Sequence, residues 1–411
     1  MIDKPEGALT ASREAARPVG MKFAVSASRE GNPVEAGLLL ARDIKRGLLS
    51  EPVDLACLFF SSHYADHAES LSAAVREELR PGLLLGCTGE GVLAKSEEIE
   101  GDAAVTLWAA RLPVVRLTPV RLSVLQHDEG YSVSGWPEGL GAGPERPTFL
   151  LFADPFSTPV DEVLALMADR YPGSKAIGGL AGGGNDLGEN RLVLNDEVYE
   201  GGLVGVALSG PVQIRTVISQ GCRPIGERFV VTKAEKTVIQ ELGGTPALVR
   251  LQQTFESLTE PDRRLAHRAL HIGVLMDEHR NRFERGDFLV RNLIGADRNS
   301  GSIAIGDVVR EGQTVQFHVR DARSATEDLK LMLAAERVRS DKPVLGGLVF
   351  SCCGRGRGLF GRPHHDAMAI QEGIGDVPLA GFFAQGEIGP VGGTNFLHGY
   401  TASIALFSEP D

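Results

Sequence analysis

The segment LLLGCTGEG at residues 83–91 is an apolar strand that runs directly into closely spaced glycines. The pattern returns as AIGGLAGGG at residues 176–184 and as LAGFFAQGEIG at residues 379–389. Glycine permits tight turns and close approach of neighbouring backbones. Three copies of one strand-and-turn pattern therefore predict a repeated structural unit.

An apolar strand and a helix precede each glycine segment, and a further strand follows it. In the first copy the leading strand is 55–60, and Leu71, Val75 and Leu79 recur every four residues as one helix face. We predict an α/β fold with mixed sheets in two packed domains, built from a repeated strand-helix-strand-strand unit. The alternative is an ordinary α/β protein in which strand, helix and glycine turn simply follow one another.

Composition divides the chain into four predicted segments. Residues 1–20 have no apolar core and are predicted to form a flexible tail, and residues 21–230 an N-terminal domain. The polar stretch 231–246 is predicted to be a linker, and residues 247–411 a C-terminal domain. Within the first domain, Asn32 followed by Pro33 predicts the start of a helix.

The bulk properties exclude several partners. The net charge of -12 repels a phosphate backbone, so we expect neither nucleic-acid nor anionic-membrane binding. Five cysteines are too few and odd in number for a disulfide framework, which favours a reducing, cytoplasmic location. Asp3, Glu6 and Glu14 in the first twenty residues argue against a secretory signal.

Several motifs resemble those of the FIST family. They are GCTGEG at 86–91, FLVRNLIG at 288–295 and VQFHVRD at 315–321, and the most specific are CGRG at 353–356 and GFFAQGEIG at 381–389. The resemblance extends from residue 21 to the C-terminus and implies a FIST N-terminal and a FIST C-terminal domain. It further implies an intracellular sensory role in signal transduction and a small ligand such as an amino acid. We see no transmitter or F-box segment in the sequence, so we expect a separate protein partner to carry the output.

The loop at 351–365 holds three arginines, two histidines and no acid, a local reversal of sign in an acidic chain. Arg355 can grip a carboxylate or phosphate bidentately, and Glu387, after a strand that ends in glycines, can meet an ammonium group. We therefore predict a ligand-binding set of Cys353, Gly354, Arg355, Gly356, Arg357, His364, Gly386 and Glu387, with a second, pseudo-equivalent group of Cys87, Thr88 and Glu90. A solvated loop, and a Glu387 satisfied by backbone amides, are the structural alternatives.

The sequence favours a protein that is not an enzyme. Cys352 and Cys353 lie near two histidines but without an orienting acid, so an enzyme that uses Cys353 or Glu387 is a minor alternative, as is a protein-recruiting scaffold. A reactive thiol that senses electrophiles or oxidants is a further possibility. We expect no cofactor, because residues 178–184 lack a P-loop lysine and a dinucleotide fingerprint. We expect no metal, because His63 and His67 have no acidic partner motif.

Overall fold

The computed structural model describes residues 20–127, 130–140, 146–278 and 286–410, so nearly all of the predicted tail lies outside the described residues. Within these residues the strands are β1 (Lys22–Ser28), β2 (Leu55–Ser61), β3 (Leu83–Gly89), β4 (Gly91–Ala94), β5 (Glu97–Glu100), β6 (Val105–Arg111), β7 (Arg116–His127), β8 (Gly130–Ser134), β9 (Thr148–Ala153), β10 (Lys175–Leu180), β11 (Leu192–Leu194), β12 (Glu197–Tyr199), β13 (Leu203–Ser209), β14 (Gln213–Gln220), β15 (Cys222–Glu235), β16 (Val238–Leu242), β17 (Thr245–Pro246), β18 (Leu270–Leu275), β19 (Phe288–Asp297), β20 (Ser302–Ile305), β21 (Thr314–Arg320), β22 (Gly346–Cys352), β23 (Leu379–Ala384), β24 (Glu387–Val391), β25 (Thr394–His398) and β26 (Thr401–Ser408). The α-helices are α1 (Pro33–Gly47), α2 (Ala68–Leu79), α3 (Val160–Arg170), α4 (Ala247–Ser257), α5 (Glu260–Ala266), α6 (Ala322–Arg339), α7 (Gly356–Phe360) and α8 (His365–Ile374), and a 3-10 helix covers Ser62–His67.

The predicted three-fold repetition is present. In each unit the leading strand pairs in parallel with the second strand and antiparallel with the closing strand. These strands are β2, β3 and β6 in the first unit, β9, β10 and β13 in the second, and β22, β23 and β26 in the third. The fold class is therefore mixed α/β, as predicted, with 44 % strand and 25 % helix.

The three units exchange β-hairpins in a closed cycle. Hairpin β4–β5 of the first unit adds to β23 in the sheet of the third. Hairpin β11–β12 of the second unit adds to β3 in the first, and β24–β25 of the third adds to β10 in the second. Each sheet is therefore completed by a neighbouring unit, so no unit has its full sheet alone.

Equivalent residues meet where the three units converge. Phe59, Phe152 and Phe350 occupy the same place in the three leading strands, and their ring centroids lie 5.3, 5.6 and 6.4 Å apart. Three backbone hydrogen bonds repeat the cycle of the hairpins: Glu90 N–H to the Phe383 carbonyl (3.1 Å), Gly182 N–H to the Thr88 carbonyl (3.1 Å) and Gln385 N–H to the Leu180 carbonyl (3.2 Å). The contacts give the three units an approximate three-fold relationship around one shared apolar core.

Helices cover the outer faces of the three sheets. Helices α1 and α2 pack on the first sheet, α3 on the second, and α6 and α8 on the third. Asn32 caps α1 as predicted, since its side-chain oxygen accepts hydrogen bonds from the N–H groups of Val34 (3.0 Å) and Glu35 (3.2 Å). Among the described helices, none combines the length and apolar character needed to cross a membrane. We call the three sheets with their helices the body.

A six-stranded barrel is inserted into the third unit between β14 and α6. Its strands β15, β21, β18, β19, β20 and β16 form a closed ring, because β15 pairs with both β21 and β16. The interior is filled by apolar side chains such as Ile272, Ile303 and Phe317. The prediction of a linker at 231–246 is corrected here: these residues complete β15 and form β16 and β17, so the apolar positions Val231, Ile239 and Leu242 are buried in the barrel.

Candidate functional site

A cavity of about 340 Å³ lies where the body meets the barrel. It opens at the carboxyl ends of the parallel strands β22 and β23, the end of an α/β sheet at which ligands usually bind. The body contributes residues 352–354, 385–386 and 397–400, together with Asp161 at the start of α3. The barrel contributes residues 290–292 and Gly306. Ligands at this position would therefore touch both parts of the protein.

Three of the predicted site residues, Cys353, Gly354 and Gly386, line this cavity together. Cys353 follows the end of β22 and its thiol is exposed, whereas Cys352 is buried. The Cys352 side chain lowers the pKa of Cys353, and this influence outweighs partial burial and the opposing influence of Glu387 and Glu90. The Cys353 side chain, together with burial, raises the pKa of Cys352 well above its usual value.

Arg355 is not available to a ligand in this structure. Its side chain is fully enclosed and forms a bidentate ion pair with Asp366, with N–O distances of 2.6 and 2.9 Å. Asp366 also accepts hydrogen bonds from the Ser351 hydroxyl (2.9 Å) and from His365 Nδ1 (2.9 Å). The sequence predicted that Arg355 binds a ligand, but its guanidinium instead holds the loop after β22 against helix α8.

Glu387 is completely buried beside the cavity. Its Oε2 accepts hydrogen bonds from the backbone N–H (3.0 Å) and the hydroxyl (2.6 Å) of Thr401, as the structural alternative expected. Its Oε1 has no hydrogen-bond partner among the described residues. Burial, followed by the nearby Cys352, raises the pKa of Glu387 well above its ordinary value. Burial thus disfavours the charged form of this group, which weakens its attraction for an ammonium group.

The remaining residues of the predicted loop face the first unit instead of the cavity. The Arg357 N–H donates to both carboxylate oxygens of Glu100 (3.0 and 3.1 Å), and a side chain at Gly356 would overlap that same carboxylate. His364 Nδ1 accepts a hydrogen bond from the Glu98 N–H (2.9 Å). These contacts hold the loop against hairpin β4–β5 of the first unit.

The second predicted group is divided by the structure. Cys87 lies in the shared core, where burial raises the pKa of its thiol. Thr88 is bonded through its hydroxyl to the Asn190 side chain (3.3 Å) and the Arg191 N–H (3.1 Å). Glu90 is exposed and lies close enough to Cys353 to influence its pKa. Of this group, Glu90 is the residue near the cavity. It directly precedes strand β4, which pairs with β23 of the third unit.

Sequence reasoning missed the charged residues of the cavity wall. Arg291 on β19 donates from Nε to Asp307 (2.7 Å) and from Nη1 to the Leu397 carbonyl (2.9 Å), while Nη2 lies 4.0 Å from Asp161. The only signal for Arg291 was its place in the family-like motif at 288–295. Asp161 carried no signal, since it looked like an ordinary residue of the first helical turn.

Two neutral polar side chains complete the wall. His398 is buried, which lowers its pKa to about 4, and its Nε2 donates to the Gly389 carbonyl (3.0 Å). Burial raises the pKa of Tyr400 to about 12, and its hydroxyl donates to the Asn292 side chain. Within the described ranges there is no cluster of three metal-binding side chains.

These features define a mixed α/β protein of two packed domains, with a cavity between the body and the barrel. The family model of the FIST N domain matches residues 54–245, and that of the FIST C domain matches residues 247–390. The chain belongs to the FIST family. FIST domains are sensory domains of signal-transduction proteins.

Similar proteins match most of the chain. "Uncharacterized protein Rv0628c" of Mycobacterium tuberculosis is 40% identical over 389 residues, which cover 95% of this chain and 100% of the relative. "Uncharacterized protein Mb0898c" of Mycobacterium bovis is 38% identical, with 95% and 99% covered. "F-box/LRR-repeat protein At5g63520" of Arabidopsis thaliana is 29% identical over 105 residues, which are 25% of this chain and 20% of that protein.

Proposed function

We propose that this protein is a cytoplasmic sensor that binds a small carboxylate, such as an amino acid, in the cavity between body and barrel. The observation that carries the proposal is the loose Arg291–Asp161 pair in the cavity wall, with its 4.0 Å separation. A free amino acid carries one positive and one negative group, and this wall offers the complement of each. The cavity volume of about 340 Å³ falls within the usual range of small-molecule sites.

Arg291 replaces Arg355 as the proposed anion-binding residue. Its Nε and Nη1 are held by Asp307 and Leu397, so the guanidinium is fixed in place, while Nη2 lies 4.0 Å from the carboxylate of Asp161. A preorganised guanidinium loses little side-chain entropy when a ligand carboxylate binds. Asp161 would hold the ammonium group, and the Tyr400 and Asn292 side chains provide further hydrogen-bonding groups.

We propose that the signal arises from a change between body and barrel. The cavity has one wall from each part, so a ligand that touches both walls stabilises one relative arrangement of the two. Beyond the cavity, the two parts are joined by contacts such as the Gln220 Nε2 hydrogen bond to the Phe288 carbonyl (2.7 Å). A separate protein would then recognise the ligand-bound arrangement, with binding instead of turnover as the primary event.

A thermal-shift screen in the presence of a reductant tests this proposal. Amino acids and organic acids would be screened at increasing concentration, because a ligand at about 100 times its Kd adds about 2.7 kcal/mol of stability. We expect Arg291→Gln to weaken binding of a hit about ten- to a hundredfold, since a charge-assisted hydrogen bond contributes about 1.5–3 kcal/mol.

The matched control is Arg223→Gln. Arg223 is similarly buried and is paired with two carboxylates, Asp262 and Asp321, but it does not line the cavity. We expect this variant to lose stability without losing affinity. Equal affinity for the hit in the Arg291 and Arg223 variants would refute the proposed site.

A further inference from the structure

Two adjacent thiols with different exposure stand at the mouth of the cavity. Cys352 ends strand β22 and is 7% exposed, while the next residue, Cys353, exposes its thiol at the cavity wall. The two residues are neighbours in the chain, and each thiol influences the pKa of the other. The Gly354 N–H donates to the Cys352 sulfur, at 3.4 Å. One cysteine of the adjacent pair is thus exposed at the cavity, and the other is buried.

The electrostatics assign different chemical roles to the two sulfurs. The Cys352 side chain lowers the pKa of Cys353, which favours its thiolate, whereas the Cys353 side chain and burial raise the pKa of Cys352. The thiolate is the nucleophile in thiol chemistry, and its formation depends on this kind of local stabilisation. An exposed thiolate next to a buried thiol is the arrangement in which one cysteine attacks and the other resolves.

Two buried polar atoms in the region of the two cysteines have no hydrogen-bond partner among the described residues, which favours binding of a polar molecule. His398 lines the cavity and is 2% exposed, and its Nδ1 has no hydrogen-bond partner among the described residues. Because Nε2 donates to the Gly389 carbonyl, Nδ1 of the neutral ring is an acceptor. Glu387 Oε1 is also buried and without a described partner, and Cys352 influences the pKa of this carboxyl group. Buried polar atoms of this kind normally have a partner.

We propose that Cys353 and Cys352 undergo thiol–disulfide exchange with a low-molecular-weight disulfide that enters this cavity. The Cys353 thiolate attacks one sulfur of the guest, which forms a mixed disulfide and breaks the sulfur–sulfur bond of the guest. The leaving half departs as a thiolate and takes a proton from solvent. Cys352 then loses its proton to solvent and attacks the Cys353 sulfur, which releases the second half as a thiolate that is protonated in turn. Two protein thiols are oxidised to one disulfide, and the guest disulfide is reduced to two thiols.

The product disulfide is readily reversed. Adjacent Cα atoms are about 3.8 Å apart, whereas unstrained disulfides join Cα atoms separated by about 4.4–6.8 Å. Strain raises the reduction potential of a disulfide, so small thiols reopen it. The exchange is therefore a stoichiometric modification that follows the ambient ratio of disulfide to thiol. The proposed exchange rests on the proposed function, because the small disulfide occupies the same cavity as the proposed ligand.

Intact-mass spectrometry with cystine as the probe tests the exchange. We expect the reduced wild-type protein to lose two hydrogens and to regain them with dithiothreitol. Cys352→Ala is expected to stop at a mixed disulfide that carries one half-cystine, and Cys353→Ser is expected to give neither product. Cys222→Ser, which removes a buried thiol outside the cavity wall, is the matched control and should behave as wild type.

Three results would overturn the inference. They are an unmodified wild-type protein, a Cys353→Ser variant modified as fully as wild type, and a wild-type protein that stops at the mixed disulfide as Cys352→Ala does. Circular dichroism of each variant would check that the fold is retained.

The thermal-shift screen uses non-thiol ligands under reductant, so the proposed ligand site and the proposed thiol–disulfide exchange can fail separately. Absence of exchange with a retained amino-acid shift removes only this inference, and exchange without any such shift removes only the proposed ligand class.

Discussion

Replacement of Asp366 by asparagine should destabilise the protein strongly without touching the cavity wall. Asp366 and Arg355 are both fully enclosed, and the carboxylate also accepts hydrogen bonds from Ser351 and His365. Loss of one partner of a buried ion pair leaves the other charge uncompensated, which costs about 3–5 kcal/mol. We therefore expect Asp366→Asn to lower the free energy of unfolding by about that amount at pH 7.

Urea denaturation at 25 °C followed by circular dichroism measures this loss. Glu327→Gln is the surface comparison, because the Arg323–Glu327 contact is 3.9 Å long with side chains 81% and 52% exposed. Such a pair contributes less than about 1 kcal/mol. The double variant Arg355→Met/Asp366→Leu should recover most of the loss, since it removes both charges together. A loss below about 1 kcal/mol for Asp366→Asn would refute the structural role given to the pair.

Three further predictions concern the core, the units and the response to pH. Gly381→Ala should destabilise the third unit, because a Cβ there would overlap the Val349 carbonyl oxygen, whereas Gly358→Ala has open space and should be tolerated; comparable melting temperatures would contradict this. Phe152→Ala should cost about 3–5 kcal/mol in urea unfolding, because it leaves a cavity at the convergence of the three units. His318 is buried, which lowers its pKa to about 4, so the unfolded chain binds its proton first as the pH falls. Stability from His318 should therefore be complete above about pH 6.5 and decline toward pH 4, and a His318→Gln variant with the same pH dependence as wild type would argue against it.

The repeated unit was predictable because its signals are local. The glycine segments at 83–91, 176–184 and 379–389 combine an apolar strand with turns, and apolar residues at helical spacing separate them from their leading strands. Asn32 and Pro33 likewise mark a helix start through chemistry within three residues. Neither the exchange of hairpins nor the closure of the barrel has such a signal, because each depends on pairing between distant strands. The polar stretch 231–246 looked like a linker for this reason, since the outward faces of its strands are polar.

The cavity was only partly predictable for a related reason. Cys353, Gly354 and Gly386 follow strand ends, so the sequence places them at the ligand-binding edge. Arg355 follows a strand end as well, but it forms an ion pair with Asp366, which lies eleven residues further on and neutralises its charge. Arg291 and Asp161 come from the barrel and from the second unit, and only the tertiary arrangement brings them to the third. A single sequence gives no measure of such long-range neighbours.

Hydrogen–deuterium exchange with the amino acid or organic acid that gives the largest thermal shift tests whether a ligand bridges body and barrel. If the ligand bridges body and barrel, we expect simultaneous protection of β19, of the loop after β22 and of the turn at 397–400, which together form the cavity wall. Protection should be lost in Arg291→Gln and kept in Arg223→Gln. Protection that is confined to either the body or the barrel, or that lies away from the cavity, would contradict a ligand-binding junction between body and barrel.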